Sequence, residues 1–230
     1  MISVNHLVKT VETPSHRVEI LRDVSFEVPA AQVIAITGPS GSGKSTLLGL
    51  LAGLDWPTSG SIHLDGVDIT NMNEDQLALL RGQKVGFIFQ AYQLIPTLNA
   101  IENVMLPAEL AGGERSKRDN NENLARAKEL LEGVGLGARQ DHYPAQLSGG
   151  EQQRVGIARA FMMKPSILLA DEPTGNLDSL NGNHILELML KLNREQGTTL
   201  VLVTHDRQLT EHADRRLMLR DGQIVGDDLL

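Results

Sequence analysis

Two kinds of hydrophobic pattern alternate along this chain. Short runs of branched residues, Ile2–Val8, Val18–Val28, Gln32–Thr37, Ser61–Leu64 and Val85–Phe89, predict strands in its first third. Lys44–Ala52 and Glu74–Arg81 carry short helical patterns between them. Past residue 90 the period changes. Asn99–Leu110 and Asn120–Leu131 place apolar residues at helical spacing, as in Leu124, Ala127, Leu130 and Leu131, across a polar segment, 112–119. Ser148 is placed to cap a third helix, Gly149–Met163. After Pro165 strand signals return. Ile167–Ala170 and Thr199–Val203 are continuous apolar runs, the pattern of parallel strands buried on both faces, and a helix, Ser179–Glu195, lies between them. The order predicts an α/β core, residues 1–90 with 165–230, interrupted by a helical segment, 91–164.

Composition narrows the chemistry. Aromatic residues are 3% of the 230 and hydrophobic residues 41%, so the core is aliphatic and large enough for an ordinary globular protein. There is no cysteine, which excludes disulfides, thiolate catalysis and cysteine-bound zinc. The net charge of −8 argues against holding nucleic acid or an anionic membrane through bulk charge. No basic start with an apolar run follows Met1, and no stretch approaches the ~18 apolar residues of a membrane span. The expectation is a soluble, cytoplasmic protein with no direct membrane insertion, reaching any membrane only through a partner.

Candidate chemistry lies at three places. The run Gly38, Pro39, Ser40, Gly41, Ser42, Gly43, Lys44, Ser45, Thr46 follows the apolar strand Val33–Thr37 and opens a helix, and it matches the pattern GxxxxGK[ST]. Glycines let successive N–H groups turn toward phosphate oxygens, and the helix start adds partial positive charge. Lys44 reaches the outer phosphates of a nucleotide, and the Ser45 hydroxyl is a hard ligand for Mg²⁺. The second place is the end of an apolar run, Ile167–Ala170, where Asp171 and Glu172 follow each other. At a strand tip both acids can approach one site, Asp171 holding Mg²⁺ and Glu172 polarising or orienting the attacking water. The third is Leu147-Ser148-Gly149-Gly150-Glu151-Gln152, a second helix start built to meet an anion.

With the continuation Gln153-Arg154-Val155-Gly156-Ile157-Ala158-Arg159-Ala160, the chain resembles the nucleotide-binding subunits of ABC transporters over nearly its full length. Further family motifs follow in order: Gln90 of the Q-loop, Asn176-Leu177-Asp178 of the D-loop, and His205 of the switch. The resemblance implies an ABC-type core of mostly parallel sheet with antiparallel N-terminal strands and a helical signature subdomain. It implies ATP and Mg²⁺, and two copies packed head to tail. Each ATP then lies between one copy's phosphate loop and the other's signature, where Ser148, Gly149 and Gly150 meet the γ-phosphate. Gln90 touches Mg²⁺ or the lytic water, His205 the γ-phosphate, and Asp178 crosses the dimer axis.

The stretch Gln90–Leu98 followed by Ala100–Val104, with the run Ala170–Asp178, looks like the branch that includes LolD, MacB and FtsE, and Leu94–Asn103, Pro144–Arg154 and Leu192–Leu200 most closely resemble YbbA-type subunits. That branch implies a separate membrane permease with a large extracytoplasmic region, holding this chain at the inner face of the membrane. Its docking surface falls around Gln90–Val104, on Leu94, Ile95, Leu98 and Ile101. Two other readings stand beside it. One is a soluble ABC-type ATPase of ribosomes or DNA, opposed by the acidic charge and the single cassette; the other is a nucleotide-gated scaffold, opposed by the complete set Glu172, Gln90 and His205. One departure from the family matters. Where many relatives stack an aromatic ring on adenine this chain has Val11, and no aromatic residue precedes Phe26. Either Val11 or the stem of Arg17 then covers the base.

Overall fold

The computed structural model describes residues 1–12, 17–111, 120–175 and 179–230. In chain order the strands and helices are β1 (Ile2–Glu12), β2 (Arg17–Val28), β3 (Val33–Thr37), α1 (Lys44–Leu51), β4 (Ser59–Leu64), β5 (Val67–Asp68), α2 (Glu74–Lys84) and β6 (Val85–Ile88). They continue with α3 (Ala100–Ala111), α4 (Asn120–Gly133), α5 (Gly149–Ala160), β7 (Ile167–Asp171), α6 (Ser179–Gln196), β8 (Thr199–Val203), α7 (Arg207–Glu211), β9 (Arg215–Arg220) and β10 (Gln223–Leu229). These elements fall into two compact units, Met1–Arg81 with Gly197–Leu230, and Gly82–Gln196.

In the first unit β2, β1, β4 and β5 form an antiparallel sheet in that order. Beside it in the same unit run β10, β9, β3 and β8. Here β3 pairs parallel with β8 on one side and with β9 on the other. Ile34, Ala35 and Ile36 of β3 and Leu200, Val201 and Val203 of β8 are fully buried, which explains the unbroken apolar runs. Each such aliphatic side chain contributes roughly 1.5–3 kcal/mol by leaving water.

The hydrophobic pattern gave no sign of the hairpin β9–β10. Its fully buried positions, Leu217 and Leu219, are few, and charged residues stand at both ends of β9 and in the second half of β10. Cross-strand ion pairs take the place of apolar alternation. The Arg215 guanidinium forks onto Asp227, with Nε–Oδ1 and Nη2–Oδ2 both 2.6 Å, and Arg216 Nη2 meets Asp228 at 2.6 Å. The hydrogen bonds from Arg215 hold the Asp227 carboxyl below the usual carboxylate range.

The second unit is mostly helical around a parallel pair, β6 with β7, in register from Val85↔Ile167 to Ile88↔Ala170. Helix α5 packs against α3, α4 and α6, and Val155, Ile157 and Ala158 are fully buried. Asn103 of α3 is buried and clamps the segment before its own helix. It accepts from the Ile95 N–H at 2.8 Å and donates to the carbonyls of Leu98 and Asn99 at 2.9 and 3.0 Å. Among the described residues no helix is long and apolar enough to cross a membrane.

Candidate nucleotide site

In the first unit, β3 ends at Thr37 and the chain turns at Gly38, whose φ is +148°. A Cβ on Gly38 would stand 2.0 Å from the Leu219 carbonyl oxygen, so only glycine fits. The loop closes at Gly43, the N-cap of α1, in a left-handed conformation and with no side-chain cap. No side chain of the N-cap residue therefore competes with an outside acceptor at this helix start. Lys44 folds back on the loop, its Nζ donating to the carbonyls of Gly38 and Pro39, each at 2.9 Å. Ser45 and Thr46 occupy the same first turn.

His205 stands beside this loop's root by sheet pairing. Ile36 of β3 lies opposite Val203 of β8, and the Thr204 N–H donates to the Ile36 carbonyl at 3.2 Å. The phosphate loop and His205 thus leave the carboxyl ends of neighbouring parallel strands, the place where α/β sheets bind ligands. Val11 pairs with Val18 across β1 and β2, and it is 40% exposed.

In the second unit, β6 and β7 bring Gln90 and Glu172 past the same sheet end, because Ile88 pairs with Ala170. Asp171 is the last residue of β7. Glu172 then takes φ +45°, a left-handed conformation that costs a non-glycine residue about 1–2 kcal/mol. That kink breaks the strand's alternation. The turn is closed by the Gly175 N–H donating to the Glu172 carbonyl at 3.0 Å. A Cβ on Gly175 would lie 3.2 Å from Gln90 Nε2 and 3.5 Å from Glu172 Cβ, so this glycine lets the Gln90 amide approach the Glu172 turn.

Ser148 caps α5 as expected, and Glu151 makes the cap reciprocal. The Glu151 carboxylate accepts from the Ser148 N–H at 2.8 Å and from its hydroxyl at 2.9 Å. The bond from the Ser148 backbone, with help from the Ser148 hydroxyl, Arg139 and Arg154, holds the Glu151 carboxyl below the usual range. Ser148 is exposed, and Gly149 and Gly150 are half-buried.

Two side chains of α5 went unremarked in the sequence. Gln153, 1% exposed, donates its Nε2–H to the carbonyl of Pro173 at 2.7 Å. Arg159 donates to the carbonyls of Gln93 and Tyr92 at 2.8 and 3.1 Å, and burial pulls its pKa below the usual arginine value. All three acceptors are backbone carbonyls, which leave no trace in residue type. Of the apolar quartet expected to face a membrane partner, Ile95 is exposed, Leu94 and Leu98 are half-buried, and Ile101 belongs to the core. Asp178, with Asn176 and Leu177, lies outside the described residues.

The residues present fit a Mg²⁺–nucleotide. The Ser42 hydroxyl is buried in the phosphate loop with no hydrogen-bond partner, 3.0 Å from where a Gly38 Cβ would be. Such an orphaned donor suits a phosphate oxygen. Among the described residues no group of three His, Asp or Glu forms a cation cage. Taken singly, Ser45, Asp171 and Gln90 each carry a hard oxygen donor of the kind Mg²⁺ accepts, an ion usually held by few protein oxygens together with substrate phosphates.

Comparison with known proteins agrees with this geometry. The ABC transporter family profile matches residues 21–175. YbbA of Escherichia coli K12, an uncharacterized ABC transporter ATP-binding protein, is 53% identical over 224 residues, 97% of this chain and 96% of that one. The lipoprotein-releasing system ATP-binding protein LolD of Syntrophus aciditrophicus is 46% identical over 225 residues, 98% of this chain and 99% of its own. A dimeric ATP-binding cassette, MJ0796, in a post-hydrolysis state with ADP and Pi, superposes with a TM-score of 0.89 at 38% identity, covering 100% of this chain and 99% of that one. The chain belongs to the ABC transporter family, as an ATP-binding subunit with the α/β cassette fold.

Proposed function

We propose that this protein hydrolyses ATP between two head-to-tail copies of itself and thereby drives a separate membrane permease. The observation that carries the reading is the pair of glycine-bearing helix starts, α1 behind Gly43 and α5 behind Ser148, one in each unit. Each offers N–H groups to an anion, and a nucleotide held by α1 of one copy and α5 of the other uses both. Residues 1–90 with 165–230 serve as the nucleotide-binding core and 91–164 as the signature subdomain.

The roles follow from the chemistry at each position. Gly38 to Thr46 wrap the phosphates, and Lys44 exchanges its loop carbonyls for phosphate oxygens. Val11 lies against the adenine. Ser45, Asp171 and Gln90 hold Mg²⁺, which when bound neutralises charge on the outer phosphates. Glu172 takes the proton of the attacking water as it adds to the γ-phosphorus, and the bond to the β-phosphate oxygen breaks to give ADP and phosphate. His205 fixes the γ-phosphate. Ser148, Gly149 and Gly150 of the second copy donate to it, and Asp178 meets the opposite copy at the axis. Loss of the γ-phosphate removes the bridge and the dimer opens, a ligand-driven shift between two states.

The names of the relatives, ATP-binding proteins of export and lipoprotein-releasing systems, support a permease partner; a large extracytoplasmic region on that partner and a location at the inner face of the membrane are the rest of the proposal. The test is a pull-down of tagged Glu172→Gln in Mg·ATP from detergent-solubilised cells that make the protein. One polytopic membrane protein with a large extracytoplasmic region is the expected catch. Ribosomal or DNA-associated proteins alone would overturn the transport reading.

A further inference from the structure

Helix α5 carries the signature at its first turn and Gln153 one turn later. Gln153 is buried, yet it spends its amide on the carbonyl of Pro173, the residue directly after Glu172. Glu172 itself sits in a left-handed conformation. A strained backbone of this kind persists only where its surroundings hold it. Hydrogen bonds that hold this turn include Gly175 N–H to the Glu172 carbonyl inside it, and Gln153 to the Pro173 carbonyl from outside. The outside bond ties the turn to the helix whose start meets a phosphate. A second tie from α5, Arg159 to the carbonyls of Tyr92 and Gln93, reaches the segment that follows Gln90.

We infer that Gln153 is a positioning residue for Glu172, and that through it nucleotide held at a subunit's signature sets that same subunit's hydrolytic carboxylate. This rests on the head-to-tail dimer proposed above, in which the signature and Glu172 of one subunit serve opposite ATP sites. A shift of α5 on meeting the γ-phosphate of one site then moves the Pro173 carbonyl, and with it Glu172 in the other. The two sites are coupled inside each subunit by one buried amide. Neighbouring Gln152 has a different task, donating to the carbonyls of Pro144 and Leu147 behind the signature.

The test compares wild type, Gln153→Met, Gln153→Asn and Glu172→Gln by steady-state turnover across ATP concentration and by gel filtration in Mg·ATP. Methionine keeps the length and burial of glutamine but has no N–H. The expected result for Gln153→Met is a kcat at least tenfold lower with KM within about threefold. Its ATP-bound dimer is kept, and the Hill coefficient falls from near 2 in wild type to near 1. Gln153→Asn, which keeps a shorter amide, falls between. The inference is overturned by a Gln153→Met kcat within twofold of wild type. An unchanged Hill coefficient or loss of the ATP-bound dimer overturns it equally, since the latter marks a purely structural role. If wild type does not turn over ATP, or Glu172→Gln turns over as wild type does, the failure lies with the proposed function instead.

Discussion

Ser148 and Glu151 close on each other at the start of α5, the carboxylate taking both the N–H and the hydroxyl of Ser148 within 2.9 Å. The signature serine is thereby pinned by a charged residue one turn away. Because the fold holds the Glu151 carboxyl below its ordinary range, it prefers the ionised form. The resulting stability is complete above the glutamate value of about 4.3 and is lost as pH falls through the lower, folded-state value. Glu151→Gln keeps a capping box without the charge. The melting temperature of wild type is expected to fall more steeply than that of Glu151→Gln between pH 6 and pH 3. Parallel curves would assign the cap no charge dependence.

Glu172→Gln removes the carboxylate proposed above to accept the water's proton, and its turnover is expected to drop roughly 10²–10⁴-fold. ATP binding and dimer formation do not need that proton transfer. The variant should elute as a dimer in Mg·ATP and as a monomer in ADP. Lys44→Ala, by contrast, should fail to bind nucleotide at all, as read by equilibrium titration; unchanged affinity would remove Lys44 from the phosphate site.

Val11 and its cross-strand neighbour Val18 are both half-exposed aliphatics, and neither offers a π-face. An aromatic contact is worth about 0.5–1.5 kcal/mol beyond area burial. Val11→Tyr is therefore expected to tighten ATP binding about two- to tenfold. Wild type should let GTP compete with ATP more effectively than the variant does. Strong discrimination by wild type in a competition assay would mean that another residue, such as Arg17, reads the base.

Asn103 holds the backbone from Ile95 to Asn99 with its single buried amide. Asn103→Leu is close in size but takes away the acceptor of the Ile95 N–H and the side-chain donor of the Leu98 carbonyl. A buried polar group left unpaired costs about 1–3 kcal/mol, so loss of stability on that scale is expected in denaturant melts. Since this segment follows Gln90, turnover should fall further than stability accounts for. Nucleotide affinity at the phosphate loop, read by titration, should stay the same.

Much of the site was legible because its parts are local. A glycine-rich loop followed by Lys44 and Ser45 needs only its flanking strand and helix, and Ser148 with Glu151 is a spacing of three. The strands β3, β7 and β8 announced themselves as unbroken apolar runs. The hairpin β9–β10 did not, because Arg215–Asp227 and Arg216–Asp228 do there what apolar alternation does elsewhere. Nor did adjacent residues Asp171 and Glu172 reveal how they depart from the strand's two-face rule, which takes the left-handed turn at Glu172.

By itself the sequence determined which residues are candidates for chemistry, and most of the strands and helices, because periodicity and side-chain type record both. Tertiary structure decided which of these stand side by side. Parallel pairing of β3 with β8 set His205 next to the root of the phosphate loop. Pairing of β6 with β7 set Gln90 by the Glu172 turn. It also decided what holds them, as in Gln153 on the Pro173 carbonyl and Arg159 on those of Tyr92 and Gln93. The physical reason is that a backbone carbonyl is the same on every residue. A side chain that bonds to one leaves no mark on its partner's identity, so only the fold shows which carbonyl it meets.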